Sequence, residues 1–103
     1  GLAVIESLYF GNPVFSTPYG ALPELVTTPH GYLSNSIAEL AQAVQDMKFD
    51  SRACHQWAVS NFNHVLMAQG YLEKYQRVLA GERMNDKPPV LKENGHQMLP
   101  WNP

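Results

Sequence analysis

The chain has 103 residues, 45% of them hydrophobic, enough for one compact domain with a modest core. Its formal net charge of -2 supplies no basic excess for tracking phosphodiesters, so nucleic acid is not expected as a partner. The single cysteine, Cys54, rules out an intrachain disulfide, and the apolar runs are too short to span a bilayer. Gly1–Glu6 lacks the basic stretch that opens a signal peptide. These features lead us to expect a cytoplasmic protein, or one peripheral to a membrane. The absence of a start methionine points towards a piece of a longer protein.

Leu2, Ile5, Glu6, Tyr9 and Phe10 repeat with helical spacing over residues 2–10. Gly11-Asn12-Pro13 ends that helix, because glycine suits a left-handed cap and proline does not continue a helix. Pro13–Thr17 reads as a short buried strand and Thr17-Pro18-Tyr19-Gly20 as a turn. Pro23 suits a first helical turn and Glu24 complements the dipole, which predicts a short helix over Leu22–Val26. After a loop over Thr27–Gly31, Gly31-Tyr32-Leu33 reads as a second short strand. Ser36 and Glu39 have the spacing of a capping box, in which the glutamate also reaches back. Ile37, Leu40, Ala41, Val44 and Met47 continue from it as one helical stripe. Asp50 predicts a cap for a further helix carrying Cys54, Trp57 and Ala58. A long helix follows Asn63 to about Ala80, with Val65, Ala68, Leu72, Tyr75 and Leu79 as its stripe. From residue 83 prolines accumulate, so 83–103 is expected to be a tail.

The order helix, strand, helix, strand, then helices is that of an open α/β domain with few parallel strands. Two short strands make an insufficient sheet by themselves. Further strands, upstream or from another chain, are therefore expected, together with exposed apolar surface and self-association of the isolated chain.

Gly1–Glu6 is the stretch with chemical content. A glycine at a helix start permits close approach of a ligand, and the first-turn amides point outward with the positive end of the dipole. Such a site suits a phosphate. Glu6, about one turn further on, could accept hydrogen bonds from a diol such as a ribose. From spacing alone this signal is weak, since any helix N-terminus has free amides and most glutamates on helices are solvated.

Gly1-Leu2-Ala3-Val4-Ile5-Glu6, followed by Gly11-Asn12-Pro13-Val14, is similar to the donor motif of the family 4 retaining glycosyltransferases of GT-B type. That motif reads Glu-Pro-Phe-Gly-Leu, three residues, Glu-Ala, then a Gly-x-Pro-Val. Thr17–Val26 resembles the family's Gly-Gly-x-Pro-Glu-Ile-Val loop, with Ala21 at the second glycine. Gly31-Tyr32-Leu33 resembles its Gly-Phe/Tyr-Leu strand. Arg52, Phe62, Met67-Ala68, Tyr71 and Tyr75 fit its C-terminal helices, although Asn63-His64 replaces the usual Ser-Trp. The resemblance runs over residues 1–82.

It implies a partial Rossmann-like C-terminal domain, with the donor nucleoside-diphosphate sugar held between that domain and an N-terminal one. Glu6 matches the glutamate that binds the nucleotide ribose. Gly1, Leu2 and Ala3 match the turn that holds the donor diphosphate. The partner glutamate would stand three residues before Gly1, and the basic diphosphate clamp further upstream. The acceptor site would lie in the N-terminal domain, so this chain alone is expected to be inactive. No metal or other cofactor is implied; the nucleotide sugar is a substrate. Sugar, base and acceptor are not readable here.

The remaining candidates read as structural. His30, His55, His64 and His96 have no close metal-ligand spacing, and Cys54 lies on an apolar helix face. Trp57, Tyr71 and Tyr75 are expected to be packing residues. Pro18–Ala21 is either a border of the donor site or a plain turn. The competing reading of the whole chain is a non-catalytic nucleotide-binding or α/β interaction module of the same fold.

Overall fold

The computed structural model describes residues 1–88. Five helices and two strands follow one another: α1 (Leu2–Tyr9), β1 (Val14–Ser16), α2 (Leu22–Leu25), β2 (Gly31–Leu33), α3 (Ile37–Asp46), α4 (Ser51–Asn61) and α5 (His64–Leu79). This is an α/β arrangement in which β1 and β2 form a two-stranded parallel sheet. Val14 stands opposite Gly31, Phe15 opposite Tyr32 and Ser16 opposite Leu33. The chain falls into two units, residues 1–62 and the segment from 63 onward. Residues 83–88 hold no helix or strand, and the rest of the expected tail lies outside the described residues. Among the described residues no helix is long and apolar enough to cross a membrane.

The core of the first unit forms where α1 meets α4. Leu8, Cys54 and Ala58 are buried there, with Val4, Val14 and Trp57 packed around them. Full burial of a leucine of this kind contributes roughly 1.5–3 kcal/mol. Gly11 lets α1 stop at this point. Its φ is +81°, and a Cβ there would lie 3.0 Å from the carbonyl oxygen of Ser51. α1 thus ends directly against the start of α4. Asp50 caps that helix by accepting from the amides of Arg52 at 2.8 Å and Ala53 at 3.3 Å.

The two strands approach most closely at Gly31. A Cβ on this residue would lie 2.1 Å from the carbonyl oxygen of Val14 and 2.6 Å from Val26 Cγ1. Only glycine permits β2 to pair here with Val26 packed behind it.

Two expectations about the first unit need correction. The capping box is half formed. Ser36 Oγ accepts from the Glu39 amide at 3.4 Å, but the Glu39 carboxylate accepts from the Ser34 hydroxyl and not from the Ser36 amide. The buried Ser34 oxygen takes that amide itself, at 3.0 Å. A second serine two residues earlier therefore offers a nearer acceptor. The stripe of α3 also divides. Ala43 is buried and Leu40 and Met47 are half-buried, whereas Ile37, Ala41 and Val44 are exposed. The cause is width: two strands about 4.8 Å apart cannot cover a helix about 10 Å across.

α5 is delimited at both ends. The Asn63 side chain accepts from the amides of Val65 and Leu66, each at 3.0 Å. Gly81, with φ +86°, follows the last turn, and the amide of Glu82 returns to the Arg77 carbonyl at 3.0 Å. The expected packing roles of Tyr71 and Tyr75 are not observed: both are exposed, as is the whole apolar stripe of this helix. Periodicity placed these residues on one face, but no described element of the second unit lies over it.

Candidate functional site

The start of α1 is open. The carbonyl of Gly1 accepts from the amides of Val4 at 3.1 Å and Ile5 at 3.3 Å. No backbone carbonyl of a described residue accepts from Leu2 or Ala3, so these are the amides left to an external acceptor. Gly1, Leu2 and Ala3 are all exposed. Glu6 is exposed as well and lies about 6 Å along the axis from Leu2. No described residue donates a hydrogen bond to its carboxylate. Thus the four residues matched to the donor motif share the accessible first turns of one helix. The two amides favour negative charge, and the carboxylate further along accepts hydroxyl donors.

Neighbouring elements define the surroundings. A Cβ on Gly1 would meet only the end of the Leu25 side chain, at 2.5 Å, so α2 borders the helix start. Gly20 turns the chain between β1 and α2 with φ +58°, and the amide of Leu22 donates to the Tyr19 carbonyl at 3.2 Å. Along α1 an open depression of about 310 Å³ is lined by Ala3, Val4, Ser7, Pro13, Val14 and Phe15. Its walls are largely apolar and carry no charge. Any charge recognition must therefore come from the helix start and Glu6.

The other candidates occupy structural positions. The His30 ring stacks on Trp57 with centroids 4.8 Å apart and planes 11° from parallel. Its Nδ1 lies 3.2 Å from Thr27 Oγ1. His55 Nδ1 hydrogen-bonds the Tyr9 carbonyl, and its ring leans on that of Tyr9. His64 is exposed on the first turn of α5, and His96 lies outside the described residues. Among the described residues no three His, Cys, Asp or Glu side chains are grouped to hold a metal ion. Cys54 is sealed in the core. Burial, and secondarily the Asp50 carboxylate, push its thiol above the ordinary pKa. Such a thiol is a poor nucleophile.

Two relationships carried no signal in the sequence. Trp57 Nε1 donates to the Leu25 carbonyl at 3.0 Å, tying α4 to the end of α2 beside Gly1. Ser34 bridges the end of β2 to Glu39. Neither pair has a local spacing that would have announced it. Among known proteins, no family model, no curated protein and no solved structure matches this chain.

Proposed function

We propose that the chain carries part of the donor site of a retaining, nucleotide-sugar-dependent glycosyltransferase of GT-B type, within a partial Rossmann-like domain. The reading is supported chiefly by the order of its segments. Gly1–Glu6, Thr17–Val26 and Gly31–Leu33 follow one another as in the family 4 enzymes. The accessible amides of Leu2 and Ala3, with Glu6 on the same helix, are compatible with a diphosphate and a ribose bound along α1. In this reading the amides and the helix dipole balance the leaving diphosphate, and Glu6 orients the nucleoside. The residues here orient the donor; the acceptor and the remaining donor contacts belong to other parts of a larger, cytoplasmic or membrane-peripheral enzyme. The chain alone transfers no sugar.

The test is nuclear magnetic resonance of the full chain titrated with UDP, GDP and ADP. One of them should shift the amide signals of Leu2 and Ala3 selectively, and Glu6→Gln should weaken that response without altering the melt. Uniform or absent shifts with all three nucleotides would remove the donor assignment. Sugar transfer by the purified chain would remove the claim that it is inactive alone. The encoding gene offers an independent check: a glutamate codon three residues ahead of Gly1 is expected.

A second reading, an interaction module of the same fold, draws on a different observation. α5 exposes its apolar face.

A further inference from the structure

We infer that Trp57 is a positioning residue for the opening of α1: it holds Leu25 against Gly1 and so fixes an apolar wall beside the amides of Leu2 and Ala3. This role rests on the reading of those amides as the diphosphate end of a donor site. α2 is a single turn with no side-chain cap, and none of its residues is buried. A turn of this length has no stability of its own, so its place is set by what holds its ends. At its start the Leu22 amide reaches only the Tyr19 carbonyl of the preceding loop. Two contacts at its end reach other elements. Val26 is buried against Gly31 of β2, and the Leu25 carbonyl accepts from Trp57 Nε1 at 3.0 Å. The second of these acts on the residue that touches α1. Leu25 Cδ1 would lie 2.5 Å from a Cβ placed on Gly1. The main chain of Leu25 therefore meets α4, and its side chain meets the start of α1.

Trp57 is itself held firmly enough to serve as an anchor. His30 stacks on its face, Phe62 meets it edge-on, and it packs against the cluster of Leu8, Cys54 and Ala58. Leu8 belongs to α1, so one indole is seated on the buried side of that helix and also holds its neighbour α2. An indole has one donor and no acceptor, and here the donor is spent on Leu25. A wall of apolar atoms keeps water from one side of the two free amides, which strengthens their attraction for an anion. Once released, Leu25 leaves that side to solvent. If the held arrangement falls to about a tenth of the population, the apparent affinity for an anion at the amides falls about tenfold.

The experiment uses the full chain, first without ligand. Nuclear Overhauser effects between the Leu25 methyls and the Gly1 α-protons report the contact. Trp57→Phe should abolish them and move the amide signals of Leu2 and Ala3, while the contacts of Leu8 with Cys54 remain. Cys54→Ala opens the same core without touching the Leu25 carbonyl and should keep the Gly1 contact. Leu25→Ala keeps the carbonyl and its donor but removes the wall, and should move the signals of Leu2 and Ala3 with Trp57 in place. Whichever of UDP, GDP and ADP binds the wild type should then bind Trp57→Phe and Leu25→Ala about tenfold more weakly, at a temperature where both are fully folded. A Gly1 contact that survives Trp57→Phe, or is lost equally in Cys54→Ala, overturns the role of Trp57 whether or not a nucleotide binds. Unmoved Leu2 and Ala3 signals in Leu25→Ala overturn it too, as does unchanged nucleotide affinity in both variants. If no nucleotide binds the wild type, the donor reading falls, and the ligand-free contact decides the role of Trp57.

Discussion

The indole Nε1 of Trp57 donates a hydrogen bond to the main-chain carbonyl of Leu25 across 3.0 Å. Trp57 also stacks on His30 and meets the Phe62 ring edge-on at 6.0 Å. One side chain therefore fixes the end of α2, the residue before β2 and the end of α4. Trp57→Phe keeps an aromatic body but leaves the half-buried Leu25 carbonyl without this donor. The expected loss is about 1–2 kcal/mol, read as a lower urea midpoint at unchanged slope. Trp57→Ala should cost about 3–5 kcal/mol, because the apolar contacts go as well.

Gly31 and Gly1 should respond unequally to alanine. At Gly31 the new methyl meets the Val14 carbonyl, a backbone atom in the strand pair, so β1 and β2 must part. A loss of about 3 kcal/mol is expected. At Gly1 the only obstacle is the tip of the Leu25 side chain, which can rotate away. Gly1→Ala should leave the melting temperature nearly unchanged. Equal effects in thermal melts of the two variants would contradict this division.

The raised pKa of Cys54 makes stability depend on pH in the alkaline range. Burial and the Asp50 carboxylate hold the folded thiol above its ordinary value of 9.0. An unfolded chain releases that proton first. The contribution of the neutral thiol is therefore intact below 9.0 and is lost as pH climbs through the higher folded value. Urea titrations on either side of 9.0 should show this decline in the wild type, and its absence in Cys54→Ala. The native thiol should also react slowly with Ellman's reagent at neutral pH.

The two side-chain caps should act on different units. Asp50→Ala removes the acceptor for two amides of α4 and should cost about 1 kcal/mol in the unit built on Leu8 and Cys54. Asn63→Ala removes two acceptor bonds from α5 and should destabilise that helix by a similar amount, about 1 kcal/mol, read as lower helical ellipticity. Asp50→Asn should retain most of the cap. Hydrogen exchange resolved by residue distinguishes the two sites.

Local rules made much of this fold readable. Gly11 ends α1, Pro23 starts α2, and Asp50 and Asn63 cap the helices that follow, because each acts on a backbone within three residues of itself. Breadth of coverage was not readable. Ile37, Ala41 and Val44 have the same period as Leu40 and Met47, and only the narrowness of the sheet separates exposed from half-buried. Tyr75 falls on a regular stripe with Tyr71 on its flank, but a stripe does not say whether anything lies over it. Glu39 was diverted by Ser34, a competitor that lies outside the motif. For the candidate site, spacing placed Gly1, Leu2, Ala3 and Glu6 on one helix start. Their neighbour Leu25 arrives from α2, and its anchor Trp57 from 32 residues further along.

The contact between α1 and α4 also governs the order of assembly. The His55 ring reaches back to the Tyr9 carbonyl across 46 residues of sequence, and Leu8 waits for Cys54 and Ala58 over a similar span. Closing a loop of that length has an entropic cost that no contact inside α1 offsets. On a ribosome, the strands meet α3 first, and Phe15 of β1 finds Phe49 beyond it, whereas Leu8 of α1 emerges well before the residues that bury it. Leu8 is covered only when α4 has left the exit tunnel and become helical. α4 is thus the closing step of the unit: a chain cut before it keeps both strands and the opening of α1, and leaves Leu8 without the helix that covers it.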